Sequence, residues 1–332
     1  MGQLPAAFDI FHDRISLNQK PHDRIQSAAN GLITYLSAQY DVSPERIFLQ
    51  GSYPNGTAVA PEDYTGEYDV DLVCDVIASG GSAAGALDDI EQRLAAHGTY
   101  QKLLRGEQSR KKPCVRLFYA ADESGAFHVD VVPARRCDCG NPYAPLEAPR
   151  RASGWHDTAP QQYTQWCTTQ GLRFARTVKM LKRWRDYNQS ARKSIKSIVL
   201  QVLAAEHLGG QASDAAALVA TLEAIQRVLA AHPDKAPRIE NPVLPTENLA
   251  ARWDDSSYKD FVKHLANAVD LAQRALAESD DKASHELWRE LLGKDFPEYD
   301  TQKSRVSGVL SATPAPGHHR TQAVPRRNEY GL

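Results

Sequence analysis

The stretch "EYDVDLVCDV", Glu67 to Val76, sets Asp69 and Asp71 among Val70, Leu72, Val73, Cys74 and Val76. Side chains on a β-strand alternate between faces, so Asp69 and Asp71 share one face about 6.6 Å apart along the chain, with Val70 and Leu72 on the other. The apolar face packs, and the acidic face needs another purpose. Two carboxylates this close repel and are costly to desolvate unless a cation neutralises them. Oxygen-only ligation selects a hard ion such as magnesium or manganese. A half-exposed strand also carries acids simply to stay wet, so the pattern needs support from elsewhere in the chain. Asp75 has the same parity and is expected to be a solvated residue at the strand end.

That support lies on both sides. Downstream, "HVDVVP" places Asp130 in a second apolar strand; if it lies beside the first, three acids converge. Three acids suit a two-metal centre, in which one ion activates an attacking hydroxyl and the other holds the leaving phosphate, with the ions roughly 3.5 to 4 Å apart. Upstream, "QGSYPNGT" puts Gly51 and Ser52 after the short strand "RIFLQ", where backbone N–H groups and a hydroxyl can cradle a triphosphate. The combination of strand, Gly-Ser turn, Asp-x-Asp strand and later single-Asp strand points to nucleotidyl transfer.

The rest of the chain arranges itself around these segments. Ile25, Ala28, Ala29, Leu32, Ile33 and Leu36 mark one face of a helix before the first strand. "AGALDDIEQRLAAHG" is an amphipathic helix expected to stop at Gly98, and Val115 to Tyr119 with Phe127 to Val132 form an antiparallel hairpin. From about residue 161 to 300, "GLRFARTVKMLKRWRDYN", "SIKSIVLQVLAAEHLGG", "DAAALVATLEAIQRVLAAH" and "YKDFVKHLANAVDLAQRALAE" show helical spacing. The expected fold is α+β: a core with a mixed sheet and an N-terminal helix over 1–160, a helical lobe over 161–303, and a flexible tail over 304–332 rich in Pro, Ser, Gly and basic residues. Nucleotide would bind in the cleft of this bilobed molecule.

Composition sets limits on function. The 332 residues are 42% hydrophobic and 24% charged with a formal net charge of -2, so no global basic field calls for a long nucleic acid. No signal peptide and no apolar run of membrane-spanning length is evident, and a cytoplasmic protein without membrane partners is expected. The five cysteines lack framework spacing, and "CDC" at Cys137 to Cys139 lacks a second ligand pair, so ordinary thiols are expected rather than zinc. His318 and His319 read as a solvated pair, and Trp166, Trp184 and Trp253 as packing residues. Arg116 in "CVRLFY" has the character of a surface ion-pair residue more than of a substrate ligand.

At the motifs "GSYPNGTAVAPEDYTGEYDVDLVC" and "FHVDVVPA" the chain resembles the polymerase-β-like nucleotidyltransferases, and among them the bacterial cGAS/DncV-like enzymes, the CD-NTases. "TVKMLKRWRD", "IKSIVLQVLAAEHL" and "ENPVLPTENLAARW" extend the resemblance over most of residues 8 to 280. It implies that Asp69, Asp71 and Asp130 hold two Mg²⁺ ions, or Mn²⁺, and that Gly51 and Ser52 hold the donor triphosphate. It also implies phosphate contacts from Ser197 and from Lys182, or Lys179 one turn earlier. Relatives often stack an aromatic on the base just after the position of Ser197, where this chain has Ile198.

The implied activity joins NTPs, ATP among them, into a cyclic di- or trinucleotide second messenger with release of pyrophosphate, in antiphage signalling of the CBASS type. The partners implied are an effector reached through that product and a ubiquitin-like conjugation system or other regulator, for which Gly331 and Leu332 would be the attachment end. The alternatives are a template-independent transferase making linear oligonucleotides or extending RNA ends, and a catalytically silent nucleotide-binding scaffold. Base choice, linkage and ring size are not written in these motifs.

Overall fold

The computed structural model describes residues 2–300 apart from 62–66, 79, 111–112, 123–124, 138–139, 151–153, 189–190 and 192–193. The expectations for Cys139, for the His318–His319 pair and for the C-terminal Gly331 and Leu332 lie outside the described residues. Two helices open the chain, α1 (Pro5–Ile15) and α2 (Gln19–Tyr40), followed by strands β1 (Ile47–Gln50) and β2 (Glu67–Ile77). Helix α3 (Ala83–Ala96) is capped by Ser82, whose hydroxyl accepts from Gly85 N at 3.0 Å. Gly98 does more than stop it. It opens a four-residue helix, α4 (Gly98–Gln101), because the His97 ring accepts from Thr99 N at 3.3 Å and restarts the turn.

Strands β3 (Val115–Asp122), β4 (Gly125–Arg136), β5 (Leu146–Arg150) and β6 (Gly154–Thr158) complete a sheet of order β1-β2-β4-β5-β6, with β3 also paired to β4. The β2–β4 pair is parallel and the other pairs are antiparallel, so the sheet is mixed. Helices α5 (Pro160–Thr169), α6 (Gly171–Tyr187), α7 (Ser197–His207), α8 (Asp214–Ala230), α9 (Asp255–Ala277) and α10 (Asp281–Leu292) follow, with the short hairpin β7 (Glu240–Asn241) and β8 (Leu244–Asn248) between α8 and α9. Among the described residues no helix is long and apolar enough to cross a membrane.

Two apolar cores lie within the compact unit Met1–Pro297. One face of the sheet, with Val70, Leu72 and Cys74 from β2 and Val129 and Val131 from β4, packs on Leu32 and Leu36 of α2 and Ile90 and Leu94 of α3. The other core is helical, and it includes α1. Phe8, Phe11 and Ile15 pack with the later helices rather than with the sheet that follows them in sequence. The Phe8 ring meets Trp288 and Phe296 edge-on at 5.1 Å each, geometry worth about 0.5–1.5 kcal/mol per pair beyond burial. Trp288 Nε1 donates to Gly2 O at 2.9 Å across 286 positions of chain. Trp184 and Trp253 both pack on Phe261, and Trp166 on Tyr163 and Phe174.

Asp75 departs from expectation. It is 1% exposed, held by Arg136 at 2.7 Å and Arg46 at 3.2 Å. The face of β2 that carries Asp69 and Asp71 does not stay wet to its end: Val73, two residues on, is buried against Phe48, Ala134 and Leu146. Beneath that cover a carboxylate survives only when paired.

Candidate active site

The parallel register of β2 and β4 sets Asp71 opposite Asp130 and Asp69 opposite His128. On the other side of β4, antiparallel pairing with β3 sets Arg116 opposite Asp130. Three carboxylates therefore share one region of the sheet, each with a different neighbour. Arg116 Nε and Nη2 donate to the two oxygens of Asp130 at 2.7 Å each, and Nη2 also lies 3.8 Å from Asp69 Oδ1. The expected ion pair of Arg116 thus exists, but its partners are the candidate metal ligands. His128 Nε2 pairs with Asp69, and its Nδ1 lies 3.2 Å from Glu67 Oε2.

These neighbours shift the titrations. Burial, together with the adjacent Asp130 and Asp69, pushes the Asp71 carboxyl up to about 7. Burial alone would depress His128, but the hydrogen bond and charge of Asp69 outweigh it and its pKa is raised.

The turn after β1 approaches the same point. Gly51 adopts φ +83°, a left-handed conformation that glycine takes without steric cost. The following residues curl tightly, with Asn55 N donating to Gly51 O at 3.2 Å and Thr57 N to Ser52 O at 3.0 Å. From the helical side, Lys182 of α6 donates to Thr57 O at 2.9 Å and is 7% exposed. Burial, aided by the neighbouring Arg185, lowers its pKa to about 8. Lys179, the alternative one turn earlier, donates instead to Ser16 Oγ at 3.0 Å.

Ser197 is the first residue of α7, so that helix presents its N-terminal end, with its partial positive charge, at the same place. Arg185 Nη1 orients the Ser197 hydroxyl at 3.0 Å and also donates to Ile195 O at 3.3 Å.

Gly51, Ser52, Asp69, Asp71, Lys182 and Ser197 all line one cleft of about 650 Å³ between the sheet and the helices. Asp130 lines an adjoining cavity of about 320 Å³, to which Asp71 also contributes. The sequence reading missed several participants. His128 was visible two residues before Asp130 in "FHVDVV", with matching parity. Glu247, which faces both cavities and accepts from Asn241 Nδ2 at 2.8 Å, sits in β8 with no local signal of its role. Gln201, one turn beyond Ser197, accepts from Tyr163 Oη at 3.2 Å and donates to Thr57 Oγ1 at 3.4 Å, tying the cleft floor together.

Among the described residues, no three His, Cys, Asp or Glu side chains close on a single point as a ready metal cage. Asp69 turns to His128 and Asp130 to Arg116. The donor set nevertheless fits a hard divalent cation: three carboxylates on neighbouring strands, one of them with its ionised form made costly by burial and by the other two. A cation between them would relieve that cost.

Comparison with known proteins gives consistent results. A family profile described as the Second Messenger Oligonucleotide or Dinucleotide Synthetase domain matches residues 3–170. A c-di-GMP synthase of Roseivirga ehrenbergii is 28% identical over 257 residues, a match spanning 67% of this chain and 65% of that protein. A cyclic AMP-AMP-AMP synthase of Acinetobacter is 27% identical over 304 residues, spanning 86% of this chain and 83% of that one. Among solved structures, Bradyrhizobium diazoefficiens CdnG in complex with GTP superposes with a TM-score of 0.67 at 17% identity, over 87% of this chain and 95% of its own. Escherichia coli CdnC with ATP gives 0.66 at 18%, over 88% and 98%. At such identities the superpositions speak to the fold, which is that of the CD-NTases.

Proposed function

The chain belongs to the second messenger oligonucleotide or dinucleotide synthetase family, and on that premise we propose that it joins nucleoside triphosphates into a cyclic oligonucleotide, releasing pyrophosphate at each step. One observation carries this reading: the acidic strand, the Gly-Ser turn, Lys182 and the N-terminal end of α7 all meet on a single cleft. Carboxylates on one wall and cationic or N–H groups on the other suit a nucleotide whose phosphates lie between them. The names of the relatives, synthases of cyclic di- and trinucleotides, support the cyclic product.

Asp69, Asp71 and Asp130 would hold two Mg²⁺ or Mn²⁺ ions, which supply charge neutralisation at the phosphates and lower the pKa of the attacking hydroxyl. The protein's own groups do the positioning. Gly51 lets the backbone come close to the triphosphate, and Ser52 offers a hydroxyl and N–H there. Lys182 and the α7 end, with Ser197 held by Arg185, draw the phosphates toward the helices. Asp130 orients the 2′- or 3′-hydroxyl of the acceptor for in-line attack on the α-phosphate. Pyrophosphate departs, and the linear product turns over in the cleft for the closing step. Ile198, next to Ser197, also lines the cleft. A role in antiphage signalling is the part of this reading that rests on the family resemblance alone.

The direct test incubates purified protein with the four NTPs and Mg²⁺ or Mn²⁺, treats the mixture with phosphatase and identifies resistant products by mass spectrometry. A phosphatase-resistant cyclic mass that vanishes in the Asp69→Ala, Asp71→Ala double variant is expected. A linear ladder would replace the cyclase with a template-independent transferase.

A further inference from the structure

We infer that Arg116 is a positioning residue for the cation site: its guanidinium, spanning Asp130 and Asp69, is the internal counter-ion that a divalent cation must displace, so it sets the cation concentration at which the site fills. This rests on the metal-dependent reading above.

The geometry argues for displacement over simple coexistence. Both Asp130 oxygens are engaged by Arg116 in a two-pronged contact, the geometry in which a guanidinium matches a carboxylate best. The same guanidinium reaches toward Asp69. It therefore stands between two of the three carboxylates that would hold a cation. Two positive charges do not share that space, since a charge repulsion at a few ångströms is only weakly screened beside a partly buried sheet.

The scaffold also allows the movement. The backbone of Arg116 is fixed, its N–H donating to Ser109 O at 2.9 Å, while its neighbours Val115 and Leu117 are fully in the sheet core. The side chain is different, with 24% exposure that leaves it a path outward. Arginine keeps its charge at every physiological pH, so it cannot make way by losing a proton. It can only swing. His128, which faces the same Asp69 Oδ1 as Arg116, has the other option, which is why the inference concerns Arg116.

The test measures Mn²⁺ binding to the full chain by titration calorimetry without nucleotide, in wild type, Arg116→Gln, Arg116→Lys and Asp130→Asn. Removing the charge should tighten Mn²⁺ binding by about tenfold or more, with Arg116→Lys falling between Arg116→Gln and wild type. Structural damage alone would weaken Mn²⁺ binding, so tighter binding is diagnostic. Unchanged or weaker Mn²⁺ affinity in folded Arg116→Gln overturns the inference. Should Arg116→Gln fail to fold by circular dichroism, Arg116→Lys decides in the same way, an affinity equal to wild type overturning it. Wild-type binding that Asp130→Asn abolishes, with no gain in either Arg116 variant, rejects the displacement alone. Absence of Mn²⁺ binding in every variant rejects the metal reading beneath it.

Discussion

A Cβ placed on Gly51 would stand 2.6 Å from Oδ2 of Asp71. The turn that would cradle phosphate and the acid that would hold metal are therefore in steric contact. Gly51→Ala should cost about 1–2 kcal/mol from its positive φ alone. It should also push the Asp71 carboxylate aside, lowering turnover by about tenfold or more. A thermal melt and a turnover assay on the same preparation check both effects.

Asp71→Asn should reduce synthesis by roughly a thousandfold or more, since it removes the central ligand of the acidic cluster. The fold should persist. At pH 8 and without divalent ions its unfolding midpoint should be no lower than wild type, because one of three neighbouring negative charges is gone. Substantial residual turnover would contradict the two-metal assignment.

Lys182 gives a pH dependence with a definite sign. Its folded pKa of about 8 lies below the ordinary 10.5, so the native state binds fewer protons than the unfolded chain between those values. Its desolvation cost is fully present below about 8 and is relieved as pH rises through that window. Binding of a triphosphate runs the other way, because the anion needs the ammonium. ATP affinity measured from pH 7 to 9.5 should weaken from about 8 upward in wild type. Lys182→Met should bind about tenfold more weakly at pH 7 and show a flatter profile, whereas Lys179→Met, whose lysine contacts Ser16, should retain wild-type affinity.

Asp75 is acidic, on the same strand and of the same parity as the catalytic candidates, yet Asp75→Ala should act on stability. Breaking its pairs with Arg46 and Arg136 should cost about 1–3 kcal/mol, less than for a fully buried pair because both arginines are partly exposed. Turnover per folded molecule should match wild type. A denaturant melt combined with active-site titration separates the two quantities.

These cases show what a one-dimensional pattern carries. Alternation in "EYDVDLVCDV" told which side chains share a face, and the strand β2 obeys it, so the acids and the apolar core side were legible. Alternation does not tell what covers a face, and Asp75 was misread because cover comes from Phe48, Ala134 and Leu146, distant in sequence. The partners of His128 and Arg116 were hidden for a related reason. Their partnership with Asp69 and Asp130 depends on which strands lie side by side and in what register. Likewise the periodicity around Phe8 and Phe11 announces a buried helix without naming the core that buries it.

That last helix bears on how the molecule comes into being. Phe8 finds Trp288 and Phe296 only after nearly the whole described chain has left the ribosome, which at roughly 5–20 residues per second keeps that ring from those two partners for some tens of seconds. Strands β2 and β4, with all three acids, emerge well before α6 and α7 bring Lys182 and Ser197. The nascent protein thus carries its acids long before it owns the opposing wall, and a half-made synthetase can send no message.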